Sequence, residues 1–153
     1  MIRKAEPKDF KKINEIFNEV HKLHLNNRPD YFKDIDPLSK EDFKSILEDE
    51  NQILLVNEDK EINAFMRIEI SEKTGKLTKY RKALSIEQLA VKEGEQNKGI
   101  GKKLIEAAKE IFKEKKCTIL LLDVWAFNQN AIEFYKHIGF KELKIKMELP
   151  KEE

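Results

Sequence analysis

The segment with the most distinctive chemistry is a polar turn with two glycines, Gln96-Asn97-Lys98-Gly99-Ile100-Gly101, followed by Lys102. It falls between a predicted strand and a predicted helix. The first N–H groups of a helix have no backbone partner and carry a partial positive charge, so they bind anions. Gly99 and Gly101 lack the Cβ atoms that would block the approach of a pyrophosphate. The segment therefore predicts a pyrophosphate-binding turn, and the simpler alternative is a tight turn without a ligand.

Two common nucleotide-binding motifs do not fit this turn. A P-loop, G-x-x-x-x-G-K-[ST], requires lysine directly after its second glycine, but Ile100 follows Gly99. A Rossmann fingerprint, G-x-G-x-x-G, requires a third glycine at the position of Leu104. The pattern that fits is Q-x-x-G-x-G after a strand that ends in Leu89-Ala90-Val91.

A second segment strengthens this interpretation. Residues 128–140 follow the pattern N-x-x-A-x-x-[LF]-Y-x-x-x-G-F, from Asn128 through Tyr135 to Phe140. The two segments together resemble the two signatures of the GNAT superfamily of N-acetyltransferases, and the order of elements agrees along nearly the whole chain. The resemblance implies the GNAT fold, with acetyl-CoA as the acyl donor. It also implies that the turn holds the pyrophosphate of coenzyme A and that the preceding strand binds the pantetheine arm and offers a backbone N–H to the thioester oxygen.

The coenzyme A contacts implied by the resemblance lie on the strand end, the turn and the second signature. Asn128 is also a good helix N-cap, and one role does not exclude the other. The implied cofactor-binding residues are Leu89, Ala90, Val91, Gln96, Asn97, Lys98, Gly99, Ile100, Gly101, Lys102, Asn128 and Tyr135.

Glu87, on the strand that leads to the turn, is the candidate catalytic base. An amine with a lysine-like pKa near 10.4 is neutral in only roughly one molecule in a few thousand at pH 7, so acyl transfer to it needs a proton acceptor. Members of the family often carry an acidic residue at this position, and many polyamine-type members carry two in succession. The next residue here is Gln88, which argues against a polyamine substrate. The alternative for Glu87 is a solvated or salt-bridged strand residue.

Tyr135 is the candidate catalytic acid. The resemblance places its phenol where the departing thiolate of coenzyme A would receive a proton. A structural explanation is also open, because Ala131, Phe134, Tyr135 and Ile138 form an apolar helical stripe in which Tyr135 would be a core aromatic.

The acceptor side has weaker signals. In this family the region between the first helix and the following loop covers the substrate, which makes His24, Arg28 and Tyr31 candidate substrate contacts; the alternative is a solvated helix end. His21 and His24 share a helix face, but a zinc site needs further ligands and none is evident, so we predict no metal.

The elements that position these residues follow from hydrophobic spacing and turn residues. Apolar residues at a spacing of three to four predict helices, and apolar or alternating runs predict strands. Residues 83–91, 100–115 and 118–124 form a β-α-β unit whose strands should run parallel. The run 118–124 is expected to be covered on both faces, and Phe140 to Leu149 alternates like a strand with one buried face. The predicted fold is mixed α+β (α/β), with a mixed central sheet of about six strands, about four helices and the order β-α-α-β-β-β-α-β-α-β.

Composition narrows the function classes. The 153 residues suit a single domain, 1–153. Lys plus Arg is 30 and Asp plus Glu is 29, and this balance argues against a nucleic-acid-binding protein. One cysteine excludes an intrachain disulfide. No apolar leader and no run of about 18–20 apolar residues is present, so a cytoplasmic protein without a membrane partner is expected.

Three functions remain open at this point. The leading one is an enzyme, an N-acetyltransferase that acetylates a primary amine of a small molecule. The second is acetylation of a protein or peptide N-terminus or lysine, and the third is a non-catalytic acyl-CoA-binding module. The one-sided strand near the C-terminus is compatible with a homodimer.

Overall fold

The computed structural model describes residues 1–152 and has the mixed α+β architecture predicted from the sequence. Its elements, in chain order, are β1 (Ile2–Lys4), a short 3-10 helix (Pro7–Asp9), α1 (Phe10–Asn27), α2 (Lys40–Glu48), β2 (Gln52–Glu58), β3 (Ile62–Lys73), β4 (Arg81–Val91), α3 (Ile100–Glu114), β5 (Ile119–Leu122) and α4 (Gln129–His137). The fold class and the four α-helices are therefore confirmed in the described part of the chain.

Within residues 1–152 the sheet has five strands in the order β1-β2-β3-β4-β5. Neighbouring strands are antiparallel except β4 and β5, which are parallel. This confirms the prediction from the β-α-β unit, since α3 returns the chain to the same end of the sheet. Ligands of such units bind outside the carboxyl ends of the strands, which directs attention to the end of β4.

Helices α1 and α2 share one hydrophobic core with the sheet. Ile13 and Ile16 of α1 and Phe43 of α2 pack with side chains of β2 and β3, among them Val56 and Phe65. The N-terminus of α2 is stabilised by Ser39, whose hydroxyl accepts a 3.0 Å hydrogen bond from the N–H of Asp42. The buried face of α3 is also apolar, with Leu104, Ile105 and Ala108 fully enclosed.

The chain divides into two compact units, Met1–Asp123 and Val124–Glu153. The first contains the sheet, α1, α2 and α3. The second contains α4, whose N-terminus is capped by Asn128 through a 3.3 Å hydrogen bond from the N–H of Ala131. Gly139, just after this helix, has φ of +108°, a conformation that favours glycine. The prediction of a single domain over 1–153 stays a prediction.

Two sequence predictions about strands need correction. The segment Phe140 to Leu149 forms no strand, because alternation predicts which face would be apolar but does not establish hydrogen bonds to a neighbouring strand. The strand predicted at 118–124 is confined to β5, and its side chains are partly exposed instead of covered on both faces. Both differences concern the same part of the chain, the last strand of the sheet and the segment expected to join it.

Candidate active site

Glu87 occupies a β-bulge in β4. Arg67 of β3 pairs with Gln88 and Ile68 pairs with Ile86, so Glu87 is the extra residue of the longer strand. A bulge bends its strand and redirects the side chains beside it, which is why bulges occur often next to active sites. The Glu87 side chain is exposed. The candidate base is thus presented to solvent at a local irregularity of an otherwise regular strand.

A charged network that the sequence did not reveal lies directly beside the bulge. The Arg67 guanidinium donates hydrogen bonds to the side-chain oxygens of Gln88 on β4 and Gln52 on β2, the second at 2.7 Å. Strand alternation places these three side chains on the sheet face that carries Val56 and Phe65, the face covered by α1 and α2. Arg67 therefore holds a partly buried positive charge next to the bulge and orients Gln88.

The turn predicted to bind pyrophosphate combines two left-handed residues with a helix N-terminus that no side chain of residues 1–152 caps. Gly99, the N-cap of α3, has φ of +79° and ψ of +7°, and Asn97 has φ of +64°. The first turn of α3 is closed by a 3.1 Å hydrogen bond from the N–H of Lys103 to the Gly99 carbonyl. No side chain among the described residues caps α3, so its first N–H groups are available to an anion.

A side chain of the turn forms a hydrogen bond to the end of β4. The Gln96 amide donates to the Val91 carbonyl at 3.2 Å, which connects the end of the strand to the start of the turn. Lys98 forms a 2.8 Å ion pair with Glu95 on the surface. Gln96 and Lys98 thus support the turn, while Lys102 is exposed on the first turn of α3. A helix N-terminus with an exposed lysine suits a phosphate group.

Tyr135 lies in the second unit, near the C-terminal end of α4. Its ring contacts those of Phe134 and Phe140 with centroid separations of 5.3 and 5.6 Å. Burial raises the pKa of Tyr135 to about 12. The phenol is therefore protonated at neutral pH and can act only as a proton donor there. This environment suits both the catalytic and the packing interpretation.

The three candidate substrate residues lie together at the end of α1. His24 stacks on Phe32 with ring centroids 5.2 Å apart, and burial, followed by the nearby His21, lowers the pKa of His24. The Arg28 guanidinium lies over the Tyr31 ring at 5.7 Å and forms an ion pair with Asp30 at 2.9 Å. The structure thus places aromatic rings beside an ion-paired guanidinium in one patch, with Tyr31 65% exposed.

Metal and membrane features can be described only for residues 1–152. That part of the chain holds no group of three or more side chains arranged to bind a metal ion. It also has no helix that is both long and apolar enough to cross a membrane.

Comparison with known proteins identifies the family of this sequence. A sequence model of the acetyltransferase (GNAT) family matches residues 13–140. The chain belongs to the GNAT acetyltransferase family. The matched range includes the bulge, the turn and Tyr135.

Individual relatives are more distant. A stretch of 56 residues is 39% identical to an uncharacterized N-acetyltransferase in the pepI 3′ region of Lactobacillus delbrueckii subsp. lactis, covering 37% of this chain and about a third (32%) of that protein. The tetramutant of the BH1408 protein from Bacillus halodurans is 29% identical over 99% of both chains, with a TM-score of 0.96. An aminoglycoside 6′-N-acetyltransferase from Acinetobacter haemolyticus is 17% identical over 99% of this chain and 98% of its own, with a TM-score of 0.77, and shares the fold.

The sequence predicted Glu87 as the candidate base of this GNAT chain, but it did not identify the neighbouring network of Arg67 with Gln52 and Gln88. One signal was present, because Arg67 interrupts the apolar run of β3 between the buried residues Met66 and Ile68. A lone charge in a buried strand needs a partner. Its partners lie 15 and 21 residues away in the chain, and only the strand register identifies them.

Proposed function

We propose that this GNAT protein transfers the acetyl group of acetyl-CoA to a primary amine of a small molecule. The observation that carries the proposal is the succession of features along β4, in which a bulged carboxylate is followed by a strand end and an uncapped helix N-terminus. Acyl transfer to an amine requires a base, a hydrogen-bond donor for the thioester oxygen and a site for the donor's phosphates. We assign these roles to the carboxylate, the strand end and the helix N-terminus, in that order.

Donor binding is assigned to the end of β4, the turn and the N-terminus of α3. The N–H groups at the start of α3 would hold the pyrophosphate, since Gly99 keeps the backbone open in its left-handed conformation. Leu89, Ala90 and Val91 would offer backbone groups to the pantetheine arm, and one N–H of this strand would donate to the thioester oxygen. Acetyl-CoA supplies the activated acyl group.

Proton transfer is assigned to two side chains. Glu87 would accept the proton of the acceptor ammonium, which frees the lone pair that attacks the thioester. Tyr135, protonated at neutral pH, would donate its phenol proton to the sulfur that leaves. Asn128 supports this role by fixing the start of α4.

The acceptor is assigned to the patch of His24, Arg28 and Tyr31. An exposed aromatic ring beside a guanidinium can hold a flat or anionic part of a small molecule. Arg28 is already oriented by Asp30, so little side-chain order is lost on binding. We propose a small polar amine that carries an acidic or aromatic group.

A thiol-release assay with acetyl-CoA and a panel of small amines, peptides and lysine-containing substrates tests the proposal. Turnover that requires both acetyl-CoA and a small amine supports it. Turnover with peptides alone would show that the acceptor is an amine of a protein or peptide. Thermal stabilisation by coenzyme A without turnover on any acceptor would instead identify a non-catalytic acyl-CoA-binding module.

A further inference from the structure

Arg67 is a partly buried cation whose hydrogen bonds go to neutral groups. Its Nε and Nη1 donate to the side-chain oxygens of Gln88 and Gln52, and within residues 1–152 no carboxylate forms an ion pair with it. A charge removed from water is costly unless an opposite charge compensates it. The chain therefore gives this guanidinium hydrogen-bond acceptors but no counter-charge.

The guanidinium also has N–H groups that its protein partners do not use. Arginine has five N–H donors, and the bonds to Gln88 and Gln52 take one from Nε and one from Nη1. Both donors on Nη2 have no partner in the described residues. Nη2 is not enclosed either, because every fully buried side-chain nitrogen or oxygen of residues 1–152 has a hydrogen-bond partner. A ligand can therefore accept hydrogen bonds from this side of Arg67.

The two glutamines fix the orientation of Arg67. Gln52 is itself held by Asp49 at the end of α2, whose carboxylate accepts a 3.0 Å hydrogen bond from the Gln52 amide nitrogen. The Gln52 oxygen is thereby directed at Nη1 of Arg67, 2.7 Å away, while Gln88 holds Nε. A guanidinium that is oriented in advance loses little side-chain freedom when it binds an anion.

The register at the bulge brings Glu87 to the face of the sheet that carries Arg67. Ile86 pairs with Ile68, the residue after Arg67, and both isoleucines are buried on the opposite face. Counted from Ile86, alternation directs Glu87 to the face of Arg67. Gln88 lies on that face as well, since two residues of a bulged strand oppose one residue of its neighbour. No ion pair joins Glu87 to Arg67 within residues 1–152, so a carboxylate and a guanidinium face the same space separately.

We propose that Arg67 binds a carboxylate of the acceptor, so that the small amine acetylated at this site is an amino acid. This inference rests on the proposed function, in which Glu87 accepts the proton of the acceptor ammonium. An amino acid carries an ammonium and a carboxylate a few bonds apart. Its ammonium would face Glu87 and its carboxylate would face Arg67, where carboxylate and guanidinium form charge-assisted hydrogen bonds.

Two comparisons favour a carboxylate at Arg67. Arg28, the arginine of the proposed acceptor patch, already has an ion pair with Asp30 at 2.9 Å, so its charge is compensated and that of Arg67 is not. A single carboxylate charge also balances a single guanidinium. A phosphate monoester carries about −1.5 to −2 charges at neutral pH, and no second cation joins the hydrogen-bond network of Arg67 in the described residues.

A comparison of paired substrates tests the carboxylate directly. The thiol-release assay is run with free L-amino acids and with their carboxamides, which keep the amine and the side chain and lose the negative charge. The wild type should prefer the free acids in kcat/KM. Arg67→Gln should reduce this preference about 10- to 150-fold, the loss of one hydrogen bond to a charged group. Arg81→Gln, a matched change at the first residue of β4, should leave the preference as it is in the wild type.

The preference distinguishes recognition from a structural role of Arg67. If Arg67 only connected the strands, its replacement would lower turnover of both members of a pair and leave their ratio unchanged. Arg67→Lys keeps the charge and loses the planar pair of donors, so it should reduce the preference less than Arg67→Gln. It also replaces Arg67→Gln as the test if circular dichroism shows that Arg67→Gln does not fold. A ratio that the folded variants leave unchanged, or a wild type that prefers carboxamides or O-phosphoethanolamine, would overturn the inference.

Calorimetry separates this inference from the proposed function. Each amino acid is titrated into the protein saturated with coenzyme A, which cannot donate an acetyl group. Binding that Arg67→Gln weakens, without turnover of any amine by the wild type, would refute the proposed function and leave the carboxylate site standing. Turnover of amines without a carboxylate, and no binding of amino acids, would refute the carboxylate site and leave the proposed function standing. Neither turnover nor binding would refute both.

Discussion

The replacement Gly99→Ala distinguishes the contribution of this glycine to folding stability from its contribution to coenzyme A affinity. Gly99 has φ of +79°, and a Cβ placed there meets no heavy atom within 4 Å. The cost to the folded protein is therefore the left-handed backbone alone, about 1–2 kcal/mol. For a chain of this length that corresponds to a decrease in melting temperature of about 2–8 °C.

Gly94→Ala is a matched control for that cost. Gly94 has φ of +87°, and an added Cβ is equally free of contacts, but the residue precedes the turn and lies outside the proposed anion site. The two variants should lose similar stability in thermal or urea unfolding. They should differ in their affinity for coenzyme A, which isothermal titration calorimetry measures directly.

The expected difference in affinity follows from the hydrogen bonds at the start of α3. A methyl group at Gly99 displaces a phosphate from at least one N–H donor, and a hydrogen bond to a charged group contributes about 1.5–3 kcal/mol. Gly99→Ala should therefore raise the dissociation constant about 10- to 150-fold, and Gly94→Ala should leave it nearly unchanged. Equal affinities of the two variants would refute the assignment of the turn to the pyrophosphate.

Three further predictions concern single side chains. Glu87→Gln should lower kcat/KM at neutral pH by about 100-fold or more in the thiol-release assay, since a positioned base contributes about 10²–10⁴; Glu69→Gln, an exposed carboxylate on β3, should have little effect. Tyr135→Phe should lower kcat by a similar factor and leave the dissociation constant of coenzyme A nearly unchanged. A variant with the same kcat as the wild type would show that Tyr135 serves only in packing. Asp9→Asn should cost about 2–3 kcal/mol in urea unfolding at pH 7, because the buried carboxylate accepts hydrogen bonds from Arg3 and from the N–H of Glu6. The hydrogen bond from Arg3 lowers the pKa of Asp9 in the folded protein. The stabilisation is therefore fully present above the unfolded pKa near 3.9 and is lost as the pH falls through the folded pKa. The difference in unfolding free energy between the wild type and Asp9→Asn should shrink below about pH 4.

The local parts of this fold could be predicted from the sequence because their causes are local. Ser39 and Asn128 are caps whose partners lie three residues away. The parallel pairing of β4 with β5 follows from the intervening helix. The turn at 96–101 was found because its glycines and its position before α3 lie in one short segment.

The remaining features depend on partners that are distant in the chain. The bulge at Glu87 exists only in register with β3, and Arg67 reaches its two glutamines across three strands. The strand predicted at 140–149 was wrong for a similar reason, since alternation describes a suitable surface but does not establish hydrogen bonds to a distant strand. A strand's register is a relation between two segments, so a single segment does not show which strand it will pair with.

Thermal unfolding with and without coenzyme A tests the central claim, that the turn before α3 binds this cofactor. A ligand at 100 times its dissociation constant stabilises the folded state by about 2.7 kcal/mol, which corresponds to an increase in melting temperature of about 5–11 °C for a chain of this length. We predict an increase of this size that Gly99→Ala strongly reduces and Gly94→Ala preserves. An unchanged melting temperature at about 1 mM coenzyme A, the upper end of ordinary Michaelis constants, would contradict the account.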